Sequence, residues 1–120
     1  GILPAIDAFE KGKLKGLSRY HGDKTETIFY AWAHTWLAPS FKDWNICSEI
    51  TDVRCPVLAM QGEDDQYGTY RQLELIRKNV HGYCQVEAIG SCGHAPHVEQ
   101  QEKALQTGVK FIKEYVINNN

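Results

Sequence analysis

Two segments decide the fold of this chain: VRCPVLAMQGEDDQYGT at positions 53–69 and QVEAIGSCGHAPH at positions 85–97. Each contains a short apolar run that ends at a turn with glycine. The first turn carries Asp64 and Asp65, and the second carries His94. A continuous apolar run is typical of a strand that is covered on both faces, as in a parallel sheet. Because the carboxyl ends of parallel strands lie at one edge of a sheet, we expect the acid and the histidine to meet there.

Helices are predicted between and after the two strands. The first begins near Gly68 and ends near Gly82, a residue type that favours helix ends. The order strand, helix, strand is typical of a crossover between parallel strands. A final helix is predicted over residues 98–117. Its predicted inner side consists of Val98, Leu105, Val109, Ile112 and Val116.

The first third of the chain is predicted to be helical and is rich in aromatic residues. A short helix is expected over Ile2–Glu10, and a longer one from Asp23 to about Trp36. Pro39 ends the longer helix, because the residue before a proline avoids helical geometry.

The motifs of the two strand ends resemble the C-terminal part of an α/β-hydrolase. The resemblance is carried by CPVLAMQGEDD at positions 55–65 and CGHAPHVEQ at positions 92–100. In that family a strand ending in G-x-x-D supplies the acid of a catalytic triad, and a later G-H supplies its base. The resemblance implies that Asp65, three residues after Gly62, is the acid and that His94 is the base. Asp64 competes for the first role, but the G-x-x-D spacing favours Asp65.

The resemblance extends upstream to RYHG at positions 19–22 and TWLAPSFKDWNI at positions 35–46, which are similar to a helical lid. It implies an α/β fold in two parts. Residues 1–52 form a helical lid segment and connector, and residues 53–120 form a β-α-β-α unit with parallel strands from the C-terminal part of the hydrolase core.

The nucleophile of that family is missing from this chain. It lies on a G-x-S-x-G turn that precedes the acid and the base, and no such motif occurs here. The serines are Ser18, Ser40, Ser48 and Ser91. We interpret the chain as a C-terminal fragment of a longer hydrolase, because a base without a nucleophile has nothing to activate.

The implied activity of the parent protein is hydrolysis of a small carbonyl substrate, either an ester or a carbon–carbon bond beside a ketone. A serine attacks, His94 acts as base and then as acid, and Asp65 orients it. No metal or organic cofactor is implied. Trp32, Trp36 and Tyr67 are candidate substrate-binding residues, since aromatic walls are common in such clefts. Aromatic residues at helical spacing also serve packing alone.

A metal site and an association module are the alternatives. Cys92, His94 and His97 are of the types that zinc prefers, but no paired C-x-x-C or H-x-x-x-H accompanies them. Two strands are too few to stand alone, and bare strand edges pair with other strands. An isolated chain is therefore expected to form a homodimer or another edge-paired assembly. A non-catalytic module would use the same edge and the aromatic lid.

Composition bounds these hypotheses. The formal net charge of −2, without a basic run, argues against a nucleic-acid surface. No apolar stretch approaches the length of a membrane span. The four cysteines, at positions 47, 55, 84 and 92, are predicted to be buried free thiols in a cytoplasmic protein.

Overall fold

A computed structural model of the chain describes residues 1–117. The chain divides into two compact units, one comprising residues 1–45 and one beginning at Ile46. This division lies a few residues before the predicted one between residues 52 and 53.

The first unit is helical. It contains α1 (Ile2–Glu10), α2 (Ser18–His21) and α3 (Thr25–Leu37), with 3-10 turns at Lys15–Leu17, Gly22–Lys24 and Pro39–Phe41. The bounds of α1 agree with the prediction. The core of the unit is formed by Ala5, Phe29 and Ala33, and the Phe9 ring stacks on Phe29 with a centroid separation of 4.0 Å. Helix α3 ends where Ala38, before the proline, becomes extended.

The second unit combines helices with a parallel sheet. After a 3-10 turn at Glu49–Asp52 it contains β1 (Val57–Gly62), α4 (Tyr70–Asn79), β2 (Cys84–Ile89), α5 (Pro96–Glu99), α6 (Gln101–Ile112) and a π-helical segment at Lys113–Ile117. The strands are parallel, with Val57 opposite Cys84 and Gly62 opposite Ile89. The predicted strand, helix, strand order and its parallel pairing are confirmed.

The strands are less covered than their apolar sequence indicated. Residues 57–61 of β1 are only partly buried, and Gly62 alone in that strand is fully buried. Within residues 1–117 the sheet has just two strands, so each has an outer edge without a neighbour. The continuous apolar run of β1 is therefore not matched by burial on both faces within the described residues.

The C-terminal helix packs through a different face from the one predicted. Gln100 leaves helical geometry, with φ −134° and ψ 51°, so two helices replace the single predicted one. Ala104 and Phe111 are the buried residues of α6. The predicted inner side was wrong, because its members are all exposed: Val98, Leu105, Val109, Ile112 and Val116. The break at Gln100 changes the helical phase, and the small Ala104 packs with Ile89 and Cys92.

All four cysteines are free, as predicted, but only Cys92 is buried, and Cys55 is exposed.

Across residues 1–117, no helix has both the length and the apolar composition that crossing a membrane requires.

Candidate catalytic site

The turns after β1 and β2 are tied together by backbone hydrogen bonds that continue beyond the strand pairing. The Glu63 N–H donates to the carbonyl oxygen of Ile89, and the Asp64 N–H donates to that of Cys92, each at 2.9 Å. Because the strands are parallel, both turns lie at the same end of the sheet. The turn that carries Asp65 is thereby held against the turn that carries His94.

Gly62 allows this close approach. A Cβ atom on Gly62 would lie 2.1 Å from the carbonyl oxygens of both Cys92 and Gly93, which is far inside van der Waals contact. Only a residue without a side chain lets the loop before His94 pack directly against the end of β1.

Asp65 and His94, 29 positions apart in the sequence, form a hydrogen-bonded pair. His94 Nδ1 lies 3.0 Å from Asp65 Oδ1 and 3.1 Å from Oδ2. The Asp65 side chain is 6% exposed, whereas that of His94 is 60% exposed. A carboxylate only accepts, so Nδ1 is the donor and Nε2 of a neutral ring is left as an acceptor. Within residues 1–117 Nε2 makes no hydrogen bond.

The Asp65 carboxylate receives three further hydrogen bonds. The backbone N–H groups of Tyr67 and Gly68 donate to Oδ1 at 2.8 Å and 3.1 Å, and Gln61 Nε2 donates to Oδ2 at 3.0 Å. Burial by itself would raise the pKa of Asp65. The bonds from Tyr67, His94, Gln61 and Gly68 outweigh it and lower that pKa to about 2. The carboxylate is therefore ionised at neutral pH and fixed in orientation.

Glu99 holds the loop that carries His94. Its carboxylate accepts the Gly93 N–H at 2.7 Å and the Ala95 N–H at 2.9 Å. The bond from Ala95, followed by that from Gly93, lowers the pKa of Glu99. The side chain of Gln100 adds a bond from Nε2 to the Ser91 carbonyl oxygen at 2.9 Å.

Sequence reasoning assigned no role to Gln61 or Glu99. Gln61 interrupts the apolar run of β1 one residue before the glycine, and such a polar residue at a strand end was an available signal. Glu99 lies in the short helix α5 that follows the histidine loop. Acidic residues in the first turn of a helix commonly accept N–H groups there, so this position carried a signal as well.

One of the three predicted aromatic residues lies at the pair. The ring centroid of Tyr67 is 4.9 Å from that of His94, with an angle of 67° between the rings, so Tyr67 packs edge-on against the imidazole. The structure thus brings Asp65, His94 and Tyr67 together.

The two predicted tryptophans belong to α3 in the first unit. Trp32 packs near Phe29, with centroids 5.6 Å apart. Trp36 lies edge-on to Phe41 at 5.2 Å and to Trp44 at 6.0 Å. Both tryptophans therefore have packing contacts within their own unit.

An open cavity of about 550 Å³ lies beside the acid. Its walls include Gln61, Thr69, Tyr70 and Ala88 together with Asp65. Neither His94 nor Tyr67 is among the described residues that line it. The cavity therefore adjoins Asp65 and not the exposed face of the His94 ring.

The residues of the alternative metal motif do not form a ligand cluster. In the part of the chain that the structure describes, no three His, Cys, Asp or Glu side chains are placed to hold one ion. Cys92 is buried, and its burial, together with the charges of Glu99, Asp64 and Asp65, raises the pKa of its thiol. This thiol is protonated at neutral pH and is a poor nucleophile.

Comparison of the chain with protein-family models, with curated proteins and with solved structures gave no match. The motifs and the geometry of the Asp65–His94 pair are therefore the features that bear on function.

Proposed function

We propose that this chain carries the acid and the base of a Ser–His–Asp triad in a hydrolase of the α/β-hydrolase type. The observation that carries the proposal is the contact of a buried carboxylate with one nitrogen of an exposed imidazole, Asp65 Oδ1 to His94 Nδ1 at 3.0 Å. The pair lies where two parallel strands end, as the resemblance implies.

The chemistry follows from the two environments. Asp65 stays ionised and fixes the tautomer in which His94 Nδ1 bears the proton. Nε2 then takes the proton of a serine hydroxyl as that oxygen attacks a carbonyl carbon. The Asp65 charge stabilises the imidazolium that forms, and the same proton passes to the leaving group. The substrate class is a small ester or a carbon–carbon bond beside a ketone.

The attacking serine belongs to a segment outside these 120 residues. None of the four serines of this chain lies in a G-x-S-x-G motif. We infer that the core of the second unit continues into such a segment, because two of its surfaces are left uncovered. One consists of the outer edges of β1 and β2, which have no neighbouring strand within residues 1–117. The other is the exposed apolar side of α6, where Leu105 is 65% and Ile112 is 49% exposed.

The test is an intact mass of the protein from its native source, before and after treatment with a serine-reactive fluorophosphonate. A mass well above 13.6 kDa that gains one adduct supports the proposal. A mass near 13.6 kDa without an adduct contradicts it. In the same protein, His94→Ala should abolish adduct formation. His97→Ala, which removes an exposed histidine three positions away, should leave it unchanged.

A second candidate function is that of a non-catalytic module that associates through β1. The N–H groups of Val57 and Glu63 both donate to the β2 side, so alternation turns those of Leu58 and Met60 toward the open edge. The sequence of β1, VLAMQG, contains no charge that would oppose pairing with another strand.

Sedimentation of the 120-residue chain at increasing concentration tests this candidate. Leu58→Pro removes an outward N–H group and no hydrogen bond to β2. The candidate is supported if the chain associates and if Leu58→Pro abolishes the association while the helical circular dichroism is unchanged. A monomer at every concentration contradicts it.

A further inference from the structure

The exposed His94 ring has few packing contacts to fix its orientation. Its ring contacts are the Asp65 carboxylate and the edge-on Tyr67 ring, and 60% of its side chain is accessible. The direction of the imidazole therefore depends on the backbone that carries it. That backbone lies in the irregular segment between β2 and α5.

A single carboxylate fixes this backbone on both sides of the histidine. Glu99 Oε2 accepts the N–H of the preceding residue, Gly93, at 2.7 Å, and Oε1 accepts that of the following residue, Ala95, at 2.9 Å. Hydrogen bonds of this kind, with an ionised acceptor, are about twice as strong as neutral ones. The peptide groups before and after His94 thus share one anchor.

The loop is also confined between two elements. A Cβ atom on Gly93 would lie 2.9 Å from Glu99 Oε2, so the missing side chain lets the carboxylate reach the backbone. The carbonyl oxygen of Gly93 lies against Gly62 at the end of β1. Gly62 blocks movement of the loop toward the strand, and Glu99 restrains it from the side of α5.

We infer that Glu99 is a positioning residue for the base, which holds the His94 loop so that Nδ1 faces Asp65. This role rests on the function proposed for the Asp65–His94 pair. Glu99 does not bond to the imidazole or to Asp65; it acts through the two flanking peptide groups.

The experiment uses the 120-residue chain and needs no enzymatic activity. Long-range proton–nitrogen NMR reports which ring nitrogen of His94 carries the proton, and amide exchange reports the Gly93 and Ala95 bonds. The variants are Glu99→Ala, which removes both acceptors, and Glu99→Gln, which keeps one oxygen and the side-chain shape. Glu102→Ala is the matched control, since Glu102 bonds to Gln106 and lies beyond the loop.

Glu99→Ala should accelerate exchange at both amides by about 10- to 100-fold and weaken the Nδ1–H signal of His94. Glu99→Gln should restore slow exchange at one of the two amides and part of the signal. Glu102→Ala should match the wild type. A loss of the global fold would accelerate exchange throughout the chain, so the amides of α4 and β2, which should remain slow, serve as internal references.

Two failures are distinguishable. If the wild type shows the Nδ1–H signal and both Glu99 variants keep it unchanged with slow exchange at Gly93 and Ala95, the positioning role is overturned while the pair stands. If the wild-type chain has no proton on Nδ1, the proposed function of the pair fails, whatever Glu99 does. If Glu99→Ala does not fold, the Glu99→Gln variant decides between these outcomes.

Discussion

Gly62 lies so close to Gly93 that a methyl group on Gly62 would be 2.1 Å from the Gly93 carbonyl oxygen. Gly62→Ala must therefore displace the loop before His94, and we expect it to destabilise the chain by about 1–3 kcal/mol. Urea unfolding measures the change.

The matched control is Gly108→Ala in α6, where a Cβ atom meets nothing within 4 Å. It should stabilise the chain by about 0.5–1 kcal/mol, because alanine favours a helix interior. Equal stability of Gly62→Ala and the wild type would contradict the close approach.

The ionised Asp65 carboxylate should make stability fall at acid pH. Its pKa is lowered from 3.8 in an ordinary environment to about 2 in the folded chain. A group with a lowered folded pKa contributes stability above its unfolded pKa, and this contribution disappears as the pH falls through the folded value. Urea unfolding between pH 6 and pH 2 should therefore show a loss of stability that begins below about pH 4 to 5.

Asp65→Asn should flatten this part of the pH profile and cost about 1–3 kcal/mol at neutral pH, because it replaces one accepting oxygen by an NH2 group that faces hydrogen-bond donors. Asp64→Asn is the neighbouring control, since within residues 1–117 the Asp64 carboxylate accepts no hydrogen bond. An identical acid profile for the Asp65→Asn variant and the wild type would show that Asp65 does not carry the effect.

Ser91 has a positive φ of 51°, a conformation that costs a residue with a side chain about 1–2 kcal/mol. Glycine adopts it freely but loses more chain entropy on folding, so Ser91→Gly should stabilise the chain by about 0.5–1 kcal/mol. Thermal or urea unfolding measures the gain. Ser48→Gly is the comparison. At φ −70° glycine gains nothing, and the variant also loses the bond from the Ser48 hydroxyl to Glu49 Oε2, so it should be destabilised by about 0.5–1 kcal/mol. Destabilisation by Ser91→Gly would indicate a role for the hydroxyl.

The meeting of Asp65 and His94 could be predicted because it depends on two coarse features, namely the order of the elements and the parallel pairing. β1 and β2 coincide with the apolar runs of the two segments that decide the fold, and their carboxyl ends lie together. The mixed α/β character of the second unit followed from the same features. The bounds of α1 followed from its local apolar pattern.

The buried face of α6 could not be predicted in the same way. Its phase is set by the break at Gln100, and neither glycine nor proline marks that position. Ala104 is buried because a small residue packs against Ile89 and Cys92, while the larger Leu105 faces outward. The roles of Gln61 and Glu99 depend on turn geometry over several residues, which periodicity does not describe.

The proposed function predicts that Asp65 and His94 act as one unit in catalysis by a protein that contains this chain and the attacking serine. Asp65→Asn removes the acceptor that fixes the tautomer, and His94→Ala removes the base. Each should lower kcat by several orders of magnitude, on the order of 10⁴-fold. Their effects should not add, since an acid without its base has nothing to orient. The double variant should therefore retain about the same kcat as His94→Ala alone, measured with an ester substrate. His97→Ala is the control for loss of a nearby exposed histidine. A double variant whose loss equals the product of the two single losses would show that the residues act independently, and the hydrogen bond between them would then have no catalytic role.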